Sequence, residues 1–357
     1  MNILVIHAWL RGNVGDILHG AVLLRLLRSL QPDRLDLCGY PSQPPRPCRA
    51  LTDLADRYIG RSFAWWWHFL PSCTHSPALE TLRRGPIARL FGTYDVVVSM
   101  PGPFLSRHDA RLNASLFDIS LARDAGARFV LAGHSIGPLP DYAVPYLKRV
   151  NLCVAREPET ARYLRGLGIE PVRAADYGFV YASELMSHPL PNPLPCNGPT
   201  AAIFLRSDRL DPGRIGIKGG RLTCGGKVLA DYTGCRPVLA TSDPARDGKP
   251  LGRLSRRLNI PFVAASTPRE LFGLVDNCRH VVSDRYHPLV CAAALGTRTT
   301  VLTDGTKHKM LGLRELLEQG DPVQLHRKAR NGLDAVRRCF TTPASERSRP
   351  AARGAKP

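Results

Sequence analysis

Short apolar runs rich in β-branched residues alternate along this chain with longer stretches of helical composition, and the alternation predicts the fold. Ile3-Leu4-Val5-Ile6 is the first strand; it leads through WLRGNVGD, Trp9 to Asp16, into a helical pattern from Ile17 to Leu30. Arg34 to Leu37 is a second strand, followed by the loop PSQPPRPC. Tyr94 to Ser99, Arg128 to Ala132 and Asn151 to Ala155 are three more. They end in Met100-Pro101-Gly102-Pro103, in Gly133-His134-Ser135-Ile136-Gly137-Pro138 and in Arg156-Glu157, the last just before a helix from Pro158 to Leu167. A second series starts at Ala201 to Leu205, with Arg206-Ser207-Asp208 at its tip, and continues through Arg236 to Thr241, Pro261 to Val263, Arg279 to Ser283 and Thr299 to Leu302. Strands alternating with helices predict parallel sheets, hence an α/β protein of two Rossmann-like, doubly wound domains.

The proline-rich SHPLPNPLPCNGP separates the two series and reads as a linker. The expected layout is an N-terminal domain over 1–186, the linker over 187–199, a C-terminal domain over 200–340 and a disordered basic tail over 341–357. Gly219-Gly220 and Cys224-Gly225-Gly226 read as a flexible stretch without a phosphate-binding role. A helix is expected after Leu313 to about Glu318, and another from about Val323 to Arg338 that packs back across the domain junction.

In a doubly wound sheet the strand tips gather along one edge, where ligands bind. The most informative tip is Asp284-Arg285-Tyr286-His287, between the strand ending at Ser283 and an Ala-rich helix from Pro288 to Leu295, with Gly296 as terminator. A helix N-terminus favours an anion, an Arg adds a fork for phosphate or carboxylate, and a His two residues on carries a proton in the same space. Lys307 and Lys309 follow the next strand on the same edge. The alternative is that Arg285 and His287 only cap the helix. Arg156 repeats the strand-to-helix logic, its alternative being a salt bridge to Glu157 or a neighbouring helix. Asn13 and Asp16 stand where helix caps stand. Trp65, Trp66 and Trp67 form a cluster suited to core packing, to stacking on a sugar or to a membrane interface.

Composition narrows the partners. With 49 Lys and Arg against 30 Asp and Glu, the net charge of +19 attracts phosphates, acidic glycans or an anionic membrane face. The stretch from Arg327 to Pro357 contributes nine basic residues against two acidic ones. MNILVIHAWL lacks a basic leader and a long apolar core, and no apolar run approaches the ~20 residues that span a bilayer. Ten cysteines without a C-x-x-C pair suit reduced thiols in the cytosol better than disulfides or a structural zinc.

Taken in order, N-x-G-D (Asn13 to Asp16), S-I-G-P (Ser135 to Pro138), R-E (Arg156-Glu157), a solitary Asp176, L-R-S (Leu205 to Ser207) and D-R-Y-H with a downstream Lys resemble the polysaccharide pyruvyl transferase family across most of residues 1 to 313. The resemblance implies a two-domain fold similar to GT-B glycosyltransferases, its domains facing across a cleft, with phosphoenolpyruvate as donor and a pair of glycan hydroxyls as acceptor. It implies that Arg156, Arg285, Arg206 and a lysine hold the donor and that His287 is the general acid/base. Lys307 matches the spacing from the histidine in some members and Lys309 the local context of others, so both stand. Asn13, Gly15, Asp16, Ser135, Gly137 and Asp284 fall to acceptor binding or loop shaping. Met100-Pro101-Gly102-Pro103 stands where the family usually has a glycine run.

The scheme calls for no metal and no cofactor beyond the donor substrate. The expected acceptor is a glycan or lipid-linked oligosaccharide, met in the cytoplasm by a protein peripheral to the inner membrane face, with no specific nucleic-acid partner and the oligomeric state left open. Two other readings fit the same residues: a GT-B glycosyltransferase using a nucleotide sugar, which wants a carboxylate such as Asp284 or Asp304 on its ribose, and an inactive basic protein that binds glycans or nucleic acid.

Overall fold

A computed structural model of the protein describes residues 1–40, 44–60, 88–109, 111–185, 187–195, 198–208, 214–303 and 308–341. The tryptophan cluster, Asp304, Lys307 and the expected tail beyond 341 lie outside these residues. Seven strands make the first sheet: β1 (Asn2–Trp9), β2 (Arg34–Tyr40), β3 (Arg57–Gly60), β4 (Val96–Ser99), β5 (Arg128–His134), β6 (Leu152–Ala155) and β7 (Val172–Arg173). Their order is β3-β2-β1-β4-β5-β6-β7, and every pairing is parallel. Ile3, Leu4, Val5 and Ile6 of β1 are completely buried. Helices cover both faces of such a sheet, which is why its central strands read as unbroken apolar runs.

The second sheet contains β8 (Thr200–Phe204), β12 (Arg236–Thr241), β13 (Phe262–Ala264), β14 (His280–Ser283) and β15 (Arg298–Val301), in the order β13-β12-β8-β14-β15, again all parallel. Each sheet reverses its winding beside its first strand, between β1 and β4 and between β8 and β14. Ligands of doubly wound proteins bind at such switch points. The two crevices face each other.

Between β8 and β12 the chain makes an antiparallel meander, β9 (Ile215–Lys218), β10 (Arg221–Cys224) and β11 (Lys227–Asp231), where a flexible stretch was expected. Its two hairpins turn on Gly219-Gly220 and Gly225-Gly226, all four at positive φ. A pair of left-handed residues is what a two-residue turn between twisted strands requires, and Gly-Gly supplies it. Helices Leu112–Asp124, Pro244–Leu258 and Pro268–Asp276 also escape the sequence pattern, and the helix expected after Leu313 begins at His308.

The linker lies on the second domain, where Arg269 Nη2 donates to the Pro189 carbonyl at 2.6 Å. The last helix, Pro322–Thr341, crosses back and packs on the first sheet, burying Leu325, Ala329, Leu333, Val336 and Phe340 in the same core as Val130 and Val154. Residues 322–341 thus complete the N-terminal domain, although the chain reaches them after the second sheet. At its tightest point a Cβ added to Gly332 would stand 2.7 Å from Ala174 Cβ and 3.2 Å from Val154 Cγ1. Gly332→Val should therefore wedge the helix off the sheet and lower the unfolding free energy by about 2 kcal/mol, measured by urea denaturation. Asn331→Ala, one position away on the exposed face, should leave the midpoint unchanged.

Candidate active site

The site begins with the loop that leaves β1. Asn13 Oδ1 accepts from the Gly15 amide at 3.0 Å and caps the Val14–Ser29 helix. This places Gly15 and Asp16 in the first turn and His19 one turn further. The Val14 amide donates to the Ser242 carbonyl at 3.0 Å and ties this helix start to the second domain.

Facing it is the Tyr286–Ala294 helix, which begins two residues before the expected Pro288. Arg285 is its N-cap residue but makes no side-chain cap, and His287 sits in the first turn. The imidazole lies directly on Gly15: a Cβ there would fall 1.7 Å from His287 Nδ1. Only glycine permits this approach, which gives the Gly of N-x-G-D its physical reason. The His287 and His19 rings meet edge to face with centroids 4.6 Å apart.

Behind them is a closed ionic network. Arg156 leaves the end of β6 fully surrounded, only 2% exposed. Its Nε donates to Ser135 Oγ at 2.8 Å and to Glu157 Oε1 at 2.9 Å, and Nη1 donates to Asp176 Oδ2 at 3.2 Å. Asp176 also accepts from His19 Nε2, at 2.8 Å to each oxygen, and from the Gly178 amide at 2.9 Å. The Arg156 guanidinium lies over the Tyr286 ring, 4.5 Å from its centroid. One buried arginine thus joins the first domain to the residue next to His287. Its expected alternative, a pair with Glu157, is present together with the pocket position.

Arg285 is held in the same manner. It pairs with Asp247, and its Nη1 lies 3.5 Å from Asp243 Oδ2. Arg206 is locked to Asp208 through two hydrogen bonds of 3.0 and 2.7 Å, and its amide donates to Asp284 Oδ1 at 2.8 Å. These arginines, expected as cations waiting for an anion, are each balanced by carboxylates. Neither Asp243 nor Asp247 stood out in the sequence, because nothing local in SDPARD points to Arg285, 38 residues beyond Asp247.

Asn13, Asp16, Arg156, Arg206, Asp284, Arg285, His287 and Lys309 all line one pocket, together with His19, Pro101, Gly102, Pro103 and Tyr286. The pocket opens to solvent, and its lining is mostly polar and charged. Ser135 stands one layer behind the wall. Gly137 lies outside the lining; its amide donates to the Leu105 carbonyl. His19 escaped notice because a single histidine in an apolar helix gives no sign of a partner 157 residues away.

Burial sets the protonation states. It pushes the Asp16 carboxyl up to about 6, with His19, Arg111 and Lys309 opposing and Asp243 adding to the rise. Burial pulls His287 well below the ordinary imidazole range, and His19 adds to this, so the ring is neutral at pH 7. Burial and the neighbouring arginines lower Arg285 to about 10. For Asp176 burial acts upward, but His19 and Arg156 outweigh it and hold the carboxyl well below the usual range.

A second buried chain runs beneath the floor: Asp118 to His7 at 2.9 Å, His7 to Ser99 at 2.7 Å, and Ser99 to His134 at 2.9 Å. Phe104 packs edge to face against it, its ring 4.9 Å from His7 and 5.1 Å from His134. His19, Asp176 and His287 bring donor atoms within 4.8 Å of one another, as metal ligands do. Arg156 already occupies the Asp176 carboxylate, and a fixed guanidinium there opposes a second cation. The three residues form a cluster joined by the His19–Asp176 hydrogen bonds and the edge-to-face contact of the two rings.

A family model described as polysaccharide pyruvyl transferase matches residues 13–305. Among curated proteins none matches. Solved structures share the fold. A UDP-N-acetylglucosamine 2-epimerase from Methanocaldococcus jannaschii, in complex with UDP-GlcNAc and UDP, superposes with a TM-score of 0.54 at 12% identity, covering 94% of this chain and 99% of that one. A putative enzyme of the same name from Listeria monocytogenes gives 0.53 at 11% identity, with 94% of each chain covered. The fold is therefore two Rossmann-like domains of GT-B type. Among the described residues, no helix is long and apolar enough to cross a membrane.

The ionic network has a pH signature. A carboxyl whose folded-state pKa is depressed stabilises the fold above its unfolded value of about 4 and loses that contribution as pH falls further. Asp176→Asn should therefore cost about 3 kcal/mol at pH 7, because Arg156 and His19 lose their buried partner. Urea unfolding should show the gap from wild type narrowing below about pH 4.

Proposed function

The chain belongs to the polysaccharide pyruvyl transferase family, and from that premise we propose that it transfers pyruvate from phosphoenolpyruvate to two hydroxyls of a glycan, forming a ketal and releasing phosphate. The observation that supports this reading best is the convergence of Arg156 from the first domain with His287, Arg285 and Lys309 from the second on one pocket. Phosphoenolpyruvate carries a phosphate and a carboxylate, and its binding asks for several cations fixed in advance. Arginines held by their own carboxylates are already oriented, so little reorganisation is needed when the anion arrives.

The carbon chemistry needs proton transfers. The enol methylene must gain a proton and each acceptor hydroxyl must lose one. A neutral His287 is equipped to take a hydroxyl proton as the C–O bond forms. The acceptor is a glycan, free or carried on a lipid at the inner membrane face, where the net charge of +19 favours approach to an anionic surface. A nucleotide-sugar donor has less support, since Asp284 is engaged by the Arg206 amide rather than presented to a ribose.

The test is phosphate release from phosphoenolpyruvate across a panel of glycan acceptors. Acceptor-dependent release is expected, and His287→Ala should lower it about 100-fold or more while the variant keeps a single cooperative thermal transition. Tight binding of a UDP-sugar with none of phosphoenolpyruvate would give the nucleotide-sugar reading instead. Salt-sensitive binding of polyanions without phosphate release would make the protein an inactive binder.

A further inference from the structure

We infer that Asp16 delivers the proton to the methylene carbon of the enol donor, while His287, across Gly15, removes the proton from the attacking hydroxyl. This assignment rests on the donor reading above and names the group that completes it.

The geometry singles out Asp16 by what the other carboxylates do. Asp176 and Glu157 hold Arg156, Asp243 and Asp247 hold Arg285, and Asp284 holds the Arg206 amide. Asp16 lines the pocket, yet its carboxylate makes no hydrogen bond among the described residues. It follows directly on Gly15, the residue on which His287 rests. Asp16 from the first domain and His287 from the second therefore line the same pocket, and His287 Nε2 is buried without a hydrogen-bond partner among the described residues. Facing Asp16 are His19 on its own helix, Arg111, Asp243, Lys309 and the thiol of Cys48; facing His287 are His19, Asp176, Arg156 and Lys309. Burial raises the carboxyl and lowers the imidazole, so the carboxyl retains a proton where the ring has none. Environments that push two neighbouring groups apart in this way assign the acid and the base.

The steps balance. The protonated Asp16 carboxyl gives its proton to the methylene, which becomes a methyl group. The first hydroxyl oxygen bonds to the adjacent carbon and its proton passes to His287. The carbon–oxygen bond to phosphate then breaks, and the imidazolium returns its proton to the departing phosphate. The second hydroxyl bonds to the same carbon, and its proton restores the Asp16 carboxyl.

The experiment compares wild type, Asp16→Asn and Asp16→Glu with phosphoenolpyruvate and p-nitrophenyl hexopyranosides, first in water and then in deuterium oxide. Asp16→Asn should lower kcat about 100-fold or more while binding phosphoenolpyruvate within about threefold of wild type. The rate at which solvent deuterium enters the methyl group of the product should fall with kcat in this variant, and Asp16→Glu should recover part of both signals. Wild-type kcat should fall as pH rises through about 6, and that limb should be absent from Asp16→Asn. A carboxyl with a raised folded-state pKa stabilises the fold only at acid pH and opposes it above, so Asp16→Asn should melt higher than wild type at pH 7.5. A kcat within about tenfold of wild type, or a loss of donor binding equal to the loss of turnover, overturns the assignment. Wild-type protein that releases no phosphate with any acceptor overturns the donor reading first, and this inference with it.

Discussion

The structure depends on one buried guanidinium. Arg156 is nearly inaccessible and carries a full charge that burial alone would make prohibitive. Asp176, Glu157 and the Tyr286 ring offset that cost, and together they raise its hold on the proton despite burial. Each of these partners has a second task. Asp176 positions His19, which meets His287 edge to face. Glu157 accepts from Ser135 and, at 3.1 Å, from Thr160, fixing the turn after β6. Tyr286 belongs to the other domain. Neutralising one charge therefore fixes the relation of the two Rossmann units at the point where their switch points meet.

The same logic explains a site whose cations are nearly all ion-paired. An isolated guanidinium at a strand tip would be mobile, and binding an anion would have to order it. Held by Asp243 and Asp247, Arg285 is ordered beforehand, at the cost of a weaker bare attraction. Any anion bound there would share the cation with carboxylates. It gains from geometry what it loses in net charge, so the long-range field of a basic chain and the short-range fit of its pocket have separate origins.

Much of this arrangement was legible in the sequence, and the boundary follows the range of the interactions. The buried strands and the clustering of their tips come from local composition, since a strand covered on both faces must be apolar throughout. Arg156, Arg285, Asp16 and His287 each stand at a strand-to-helix junction, a local feature. Their partners do not: Asp176 lies 20 residues from Arg156, and Asp247 lies 38 from Arg285. Glycine was misjudged in both directions. Gly219-Gly220 and Gly225-Gly226 are hairpin turns rather than slack, while Gly15 and Gly332 are needed for close packing, which no single sequence reveals. The last helix packs on the first sheet because its apolar stripe fits a face that only the completed fold presents.

The tip after β4 argues for how a donor would lie. Where the family resemblance implies a glycine run, this chain has Pro101-Gly102-Pro103, all three lining the pocket. A glycine run would offer successive backbone N–H groups to an anion, whereas proline has none. Gly102 itself has a packing reason, since a Cβ there would meet Phe104 at 2.4 Å. With backbone donors reduced on the first domain's wall, the positive charge that lines the pocket comes from side chains, among them Arg206, Arg285 and Lys309. The proline rings present an apolar face instead. Such a face is chemically suited to the C–H surface of a sugar.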